Sequence, residues 1–178
     1  MFEGFEKSRI NVDGCNIHAV HGGNGAPLLM LHGYPQSHVE WHKVAPSLAE
    51  HYTVVCPDLR GYGDSDKPSS TDADLSTYCK RTTANDQVAV MQSLGFENFH
   101  VVGHDRGVRV GLRMALDHPE RVLTLTNLDV VPSQEAFENM DSTLAYAWFH
   151  WHLMGQPAPF PETVMGNNAK LFLDLFLD

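Results

Sequence analysis

The sequence predicts an α/β protein whose strands form a doubly wound, mostly parallel sheet. Short apolar runs stop abruptly at loops bearing Gly, Pro or Asp, as buried parallel strands do. Stretches of helical period separate them, and the alternation continues from about residue 28 to residue 130.

The elements follow in order. Arg9 to Val12 and Asn16 to Val20 flank Asp13-Gly14, a pair suited to the tight turn of a β-hairpin. Leu28 to Leu31 is a strand ending at His32-Gly33-Tyr34-Pro35. Trp41 to Glu50 reads as a helix with Trp41, Val44, Ala45 and Leu48 on one face. Thr53 to Cys56 is a strand that runs into Pro57-Asp58, and Gly61 to Pro68 is a loop by composition. Thr77 to Leu94 reads as one long helix closed by Gly95. Phe99 to Val102 is a strand, Arg106 to His118 a helix, and Val122 to Val130 a further strand. After Pro132 the pattern changes to an aromatic helical stretch, Ser133 to Gly155, then Pro157, Pro159 and Pro161, then an apolar helix-like end. The expected boundaries are therefore a core over residues 1–132 and a helical segment over 133–178. The apolar end would expose its surface unless something covers it.

Composition narrows the function. With 178 residues, 43% hydrophobic and 19% charged, the chain can bury one core and is no candidate for disorder. Its formal charge of −10 opposes nucleic acid and anionic membranes as partners. An anionic small substrate then needs a local cluster of arginines. No apolar run is long enough to span a bilayer and the first residues do not resemble a signal peptide, so a cytoplasmic location is the default expectation. Cys15, Cys56 and Cys79 are odd in number and far apart, which favours reduced thiols. The eleven histidines mostly sit singly, without the spacing of a metal site, and Asp64, Asp66 and Asp72 lack the ligand spacing of a calcium loop. No metal and no cofactor is expected.

The chemistry centres on Gly103-His104-Asp105-Arg106-Gly107, between a strand and a helix. Gly-x-nucleophile-x-Gly in that setting is a nucleophile elbow, whose small flanking residues let a sharp turn lift the central side chain into the site. A carboxylate there can displace a leaving group at saturated carbon and form an enzyme ester. The bland alternative is a Gly-bounded turn with Asp105 as a helix cap. Arg106 and Arg109, three apart, share a helix face and suit a substrate carboxylate. On their own they would read as a surface salt-bridge face; beside Asp105 the clamp reading is preferred. Arg113 is read as structural, Trp41 as a core anchor, and His32 and His104 as packing residues.

These motifs, with the run from Asp58 to Pro68, resemble α/β-hydrolases of the epoxide hydrolase and dehalogenase branch. The closer resemblance, over essentially the whole chain, is to the fluoroacetate (haloacetate) dehalogenases. It implies an α/β-hydrolase-type sheet with a helical cap beginning after residue 132, the C-terminal part of the fold being absent. It also implies that Asp105 attacks the halogen-bearing carbon while Arg106 and Arg109 hold the carboxylate. The backbone amides of Tyr34 and Arg106 would form the oxyanion hole. Asp129, 24 residues after Asp105, would orient a histidine base. His150 and Trp151 would line the halide pocket, although on an aromatic helix both read equally well as core. In the family's order that histidine lies far downstream, so it is expected outside this chain.

The resemblance thus predicts hydrolytic dehalogenation of a small haloacid with water, with turnover awaiting a C-terminal segment, which another chain could supply. A homodimer is left open. The alternatives are an epoxide hydrolase of the same fold and a non-catalytic fragment or binding module that keeps the pocket. The arginine pair weighs against the epoxide, which needs no carboxylate clamp.

Overall fold

A computed structural model describes residues 1–70 and 75–177, so Asp72 of the acidic loop lies outside the described residues. The chain divides into two compact units, one of residues 1–70 and 75–130, the other of residues 131–177.

In the first unit, β1 (Glu6–Val12) and β2 (Cys15–Gly22) form the expected hairpin. Asp13 and Gly14 have φ of 46° and 82°, the pair of positive angles that a two-residue turn needs to match strand twist. β3 (Ala26–Leu31), β4 (Tyr52–Pro57), β5 (Phe99–His104) and β6 (Val122–Leu128) complete a six-stranded sheet of order β1-β2-β4-β3-β5-β6. The four strands from β4 to β6 are parallel, while β2 joins β4 antiparallel. β3 shows the period of a two-faced strand. Leu29 and Leu31 pack into a cluster with Met91, Phe99, Val101 and Met114, whereas Leu28 and Met30 pack with Trp41, Val54 and Val20 on the other side.

Helix boundaries differ from expectation where local chemistry intervenes. The expected helix from Trp41 to Glu50 is a 3-10 turn, His38–Lys43, followed by the short α1 (Ala45–Leu48) with Pro46 in its first turn. Trp41 and Ala45 are buried as predicted, but Val44 is 48% exposed and does not belong to the packed face. α2 runs from Lys80 to Ser93 and starts three residues later than predicted, because Cys79 caps it by accepting from the Thr82 N–H. Gly95 closes α2 at φ 88°, with its N–H on Gln92 and the Phe96 N–H on Met91, a Schellman ending. α3 (Arg106–Asp117) packs on α2, and Asp117 accepts from both Arg113 (2.7 Å) and Arg81 (2.9 Å). Arg113 is structural, as read. All three cysteines are free thiols, with Cys15 and Cys56 buried.

In the second unit the predicted helix from Ser133 to Gly155 is three short ones: α4 (Ser133–Glu138), α5 (Ser142–Ala147) and α6 (Phe149–Met154). Asp141 breaks the run by capping α5 through the Leu144 N–H at 2.8 Å. α7 (Phe160–Gly166) and α8 (Ala169–Leu177) follow the proline segment. Aromatic rings hold these helices together: Trp148 stacks on Trp151 (4.7 Å between centroids), and Phe149 stacks on Phe176 (6.2 Å). Leu171, Leu173, Leu175 and Leu177 of α8 are exposed. Among the described residues no helix is long and apolar enough to cross a membrane.

Candidate active site

Sheet register assembles the site. Leu31 lies beside Gly103 and His104 beside Leu128, so the loop after β3, the turn after β5 and the end of β6 emerge together. This is the carboxyl edge of parallel strands, where open α/β sheets bind ligands.

The turn itself is tight. Asp105 has φ 42° and ψ −108°, a conformation that few non-glycine residues adopt, and it stands at the N-cap of α3. A Cβ on Gly107 would lie 2.1 Å from the Leu31 carbonyl oxygen, and one on Gly103 would lie 2.6 Å from the Val108 nitrogen. Only glycine admits this approach between α3 and the sheet. The result is a half-buried Asp105 carboxylate at the head of a 12-residue helix.

One oxygen of that carboxylate already has a partner. The Tyr34 N–H donates to Asp105 Oδ2 at 3.0 Å. The loop carrying Tyr34 is fixed from behind. The Gly33 N–H donates to Glu40 Oε2 at 2.9 Å, and Glu40 Oε1 is 2.8 Å from His104 Nδ1. Glu40 therefore joins the residue before Tyr34 to the residue before Asp105. Burial pushes its carboxyl above the ordinary range, as does the nearby Asp105, while the Gly33 N–H and His104 pull it back. A Cβ on Gly33 would come within 3.0 Å of the Asp105 Cβ, so this loop and the Asp105 turn touch.

His32 is wholly buried and braces the same loop. Its Nε2 accepts from the Leu59 N–H (3.0 Å), so Nδ1 carries the proton and donates to the Gly33 carbonyl (2.8 Å). Burial lowers its pKa, which fits a neutral ring. The packing role read for His32 holds; His104 is more than packing, because it pairs with Glu40.

Cations gather near Asp105. Arg106 and Arg109 occupy the first turn of α3, both half-buried. The Arg106 guanidinium lies 5.9 Å from the centre of the Tyr34 ring, a cation–π contact. Burial lowers the Arg109 pKa, Asp105 opposes this and Arg106 adds to it, yet a guanidinium stays charged throughout. Lys80, the first residue of α2, feels the same group. Burial lowers its pKa to about 8, helped by Arg106 and Arg109 and resisted by Asp105. Half-buried Tyr62 responds to Arg106 and Asp105 as well, its phenol raised chiefly by burial.

The structure thus brings Asp105, Arg106, Arg109 and Tyr34 together. Asp129 directly follows the strand pair that ends at the elbow, where the Asp105 N–H reaches the Leu128 carbonyl at 3.4 Å. It is exposed, with φ 53°. His150 and Trp151 belong to α6 of the second unit, their rings 6.5 Å apart and nearly perpendicular, with Phe176 4.6 Å from His150. Sequence reasoning missed Glu40, Lys80 and Tyr62. Each sits in an element whose own pattern is complete without it, and only the fold shows what it faces.

Residues 26–176 match the alpha/beta hydrolase fold family. The chain is 51% identical over 174 residues to a fluoroacetate dehalogenase of Burkholderia sp, covering 98% of this chain and 57% of that one. It is 36% identical to a soluble epoxide hydrolase of Corynebacterium sp. (strain C12), over 93% of this chain and 56% of the relative. Among solved structures, a Nostoc sp PCC 7120 protein provisionally described as an alpha/beta hydrolase superposes with a TM-score of 0.96 at 50% identity. That match covers 99% of this chain and 60% of the other. The chain therefore spans somewhat more than half the length of the relatives it matches. An Asp-bearing elbow on a parallel sheet and a family match over residues 26–176 agree, and the chain belongs to the alpha/beta hydrolase fold family.

Proposed function

We propose that this chain carries the nucleophile and the substrate clamp of a hydrolytic dehalogenase for small 2-haloacids such as fluoroacetate. One observation carries the reading: the elbow carboxylate of Asp105 accepts from the Tyr34 amide and shares its surroundings with the charges of Arg106 and Arg109 in the first turn of α3. The 51% identity to a fluoroacetate dehalogenase supports the same choice.

In this mechanism Arg106 and Arg109 bind the haloacid carboxylate and point its halogen-bearing carbon at Asp105. An Asp105 oxygen attacks that carbon, the carbon–halogen bond breaks, and halide leaves with the bonding pair. The product is an ester between Asp105 and the 2-hydroxyacid skeleton. His150 and Trp151 receive the departing halide through ring N–H groups, a role taken from the family pattern. Water then attacks the ester carbonyl, and the oxyanion is received by the Tyr34 and Arg106 amides. One proton of that water goes to the departing 2-hydroxyacid oxygen, the other is released to solvent through the base, and Asp105 regains a carboxylate containing one oxygen from water. Asp129 orients the histidine that activates this water. We assign that histidine to the part of the family's length that this chain does not span. His32 and His104, beside the elbow, are engaged with Leu59, Gly33 and Glu40.

Epoxide hydrolases among the relatives supply the competing reading. A neutral epoxide has no use for two arginines at the nucleophile, which favours the haloacid. Incubation with fluoroacetate, chloroacetate and styrene oxide, following halide and diol, separates the two. Halide from the haloacetates without diol supports the proposal, and diol without halide overturns it.

A further inference from the structure

We propose that His18, His38 and Asp58 form a binding site for a borderline divalent cation of the zinc type, separate from the nucleophile and serving to fasten the loop before it. The three residues come from different elements. His18 lies within β2, His38 opens the 3-10 turn, and Asp58 immediately follows β4. Antiparallel pairing of β2 with β4 sets His18 beside Asp58, and the Asp58 N–H donates to the His18 carbonyl at 2.8 Å. One ligand atom from each side chain falls in a group whose members all lie within 4.8 Å of one another.

Two further features distinguish this group from an ordinary buried hydrogen-bond cluster. The first is an orphan. His18 is 9% exposed, and its Nε2 is buried without a hydrogen-bond partner. Leaving a buried nitrogen unsatisfied is costly, and a cation at that nitrogen would remove the penalty. The second is a prepared carboxylate. Asp58 is fully buried, its Oδ2 held by the Asp64 N–H at 2.8 Å and its Oδ1 by the His38 N–H at 2.6 Å. His38 Nδ1 already stands 2.9 Å from that Oδ1. Ser65 ties the frame by donating to the Asp58 carbonyl and accepting from the His18 N–H.

The donor set selects the ion. Two imidazole nitrogens and one carboxylate oxygen suit zinc, cobalt, nickel or copper, whereas calcium and magnesium take oxygen. Zinc bonds of about 2.0–2.1 Å put tetrahedral ligands about 3.4 Å apart. The His38–Asp58 pair, at 2.9 Å, is within that spacing, and with all three ligand atoms inside 4.8 Å of one another the group can close on an ion by shifts of about 1–2 Å. The fourth position is left for water. Since His38 follows Ser37 at the end of the Tyr34 loop, a bound ion would stiffen that loop without touching Asp105.

The test is titration of the purified, metal-stripped protein with cobalt chloride and zinc chloride, reading cobalt d–d absorption, calorimetry and the thermal midpoint. The proposal predicts one ion per chain with a tetrahedral-type cobalt spectrum, and a midpoint that rises with zinc. In His18→Gln, which keeps the side chain's bulk, and in His18→Ala, affinity should fall at least about tenfold and the zinc-dependent rise should vanish. Melting of each variant without metal checks that it is folded. Failure of the wild type to bind overturns the proposal, and so does equal binding by the wild type and either folded variant.

Discussion

The nucleophile role proposed for Asp105 leans on its neighbours, which would keep an anionic substrate near it. Arg109 is the neighbour whose removal should speak most plainly. Arg109→Gln should raise KM for chloroacetate about 10- to 100-fold, since a charge-assisted carboxylate contact is lost, with a smaller effect on kcat. Steady-state halide release by the complete enzyme measures this; an unchanged KM would remove Arg109 from the clamp. Lys80 adds a prediction about pH. Its pKa is depressed to about 8 by burial and by Arg106 and Arg109, below the ordinary lysine value. The folded protein then binds fewer protons than the unfolded chain between about pH 8 and 10.5, so this group adds stability as pH rises through that window. Below pH 8 the charged ammonium opposes folding, and Lys80→Met should be more stable than wild type at pH 7. The advantage should shrink towards pH 10. Urea denaturation at the two pH values tests it, and a variant less stable at pH 7 would contradict it.

At the scale of elements, the elbow works because two glycines let α3 press against the sheet. Gly107→Ala would force a Cβ to 2.1 Å from the Leu31 carbonyl, which backbone on both sides cannot relieve cheaply. The expected loss is at least about 2 kcal/mol by urea denaturation, in the range of overpacking with backbone strain. Gly166→Ala, where no atom lies within 4 Å, should change stability by less than about 0.5 kcal/mol. The elbow was legible because its glycine spacing records a steric demand, and the strands because apolar runs stop where backbone must turn. The interruption at Asp141 was not, since one capping carboxylate outweighs an aromatic helical pattern. Nor was Cys79 as the cap of α2, because thiols seldom take that position.

The whole molecule holds contacts that no spacing along the chain announces. Glu40 links Gly33 to His104, and His18 meets Asp58, only because of strand order and register. The sequence showed single histidines and a lone glutamate; the sheet made them neighbours. In a chain of formal charge −10, Arg106, Arg109 and Lys80 lie near enough to Asp105 to feel one another's charge, which fits the anionic substrate proposed above. With the chain spanning 57% of its Burkholderia relative, the proposed ester-forming step is the part of the reading to test on this chain. The direct measurement is intact-mass and peptide mass spectrometry of this chain after incubation with chloroacetate, with halide counted in parallel. The account predicts a gain of one carboxymethyl group on Asp105, one halide per modified chain, and neither in Asp105→Asn. Sustained halide release without any ester on Asp105, or release undiminished in Asp105→Asn, would contradict it.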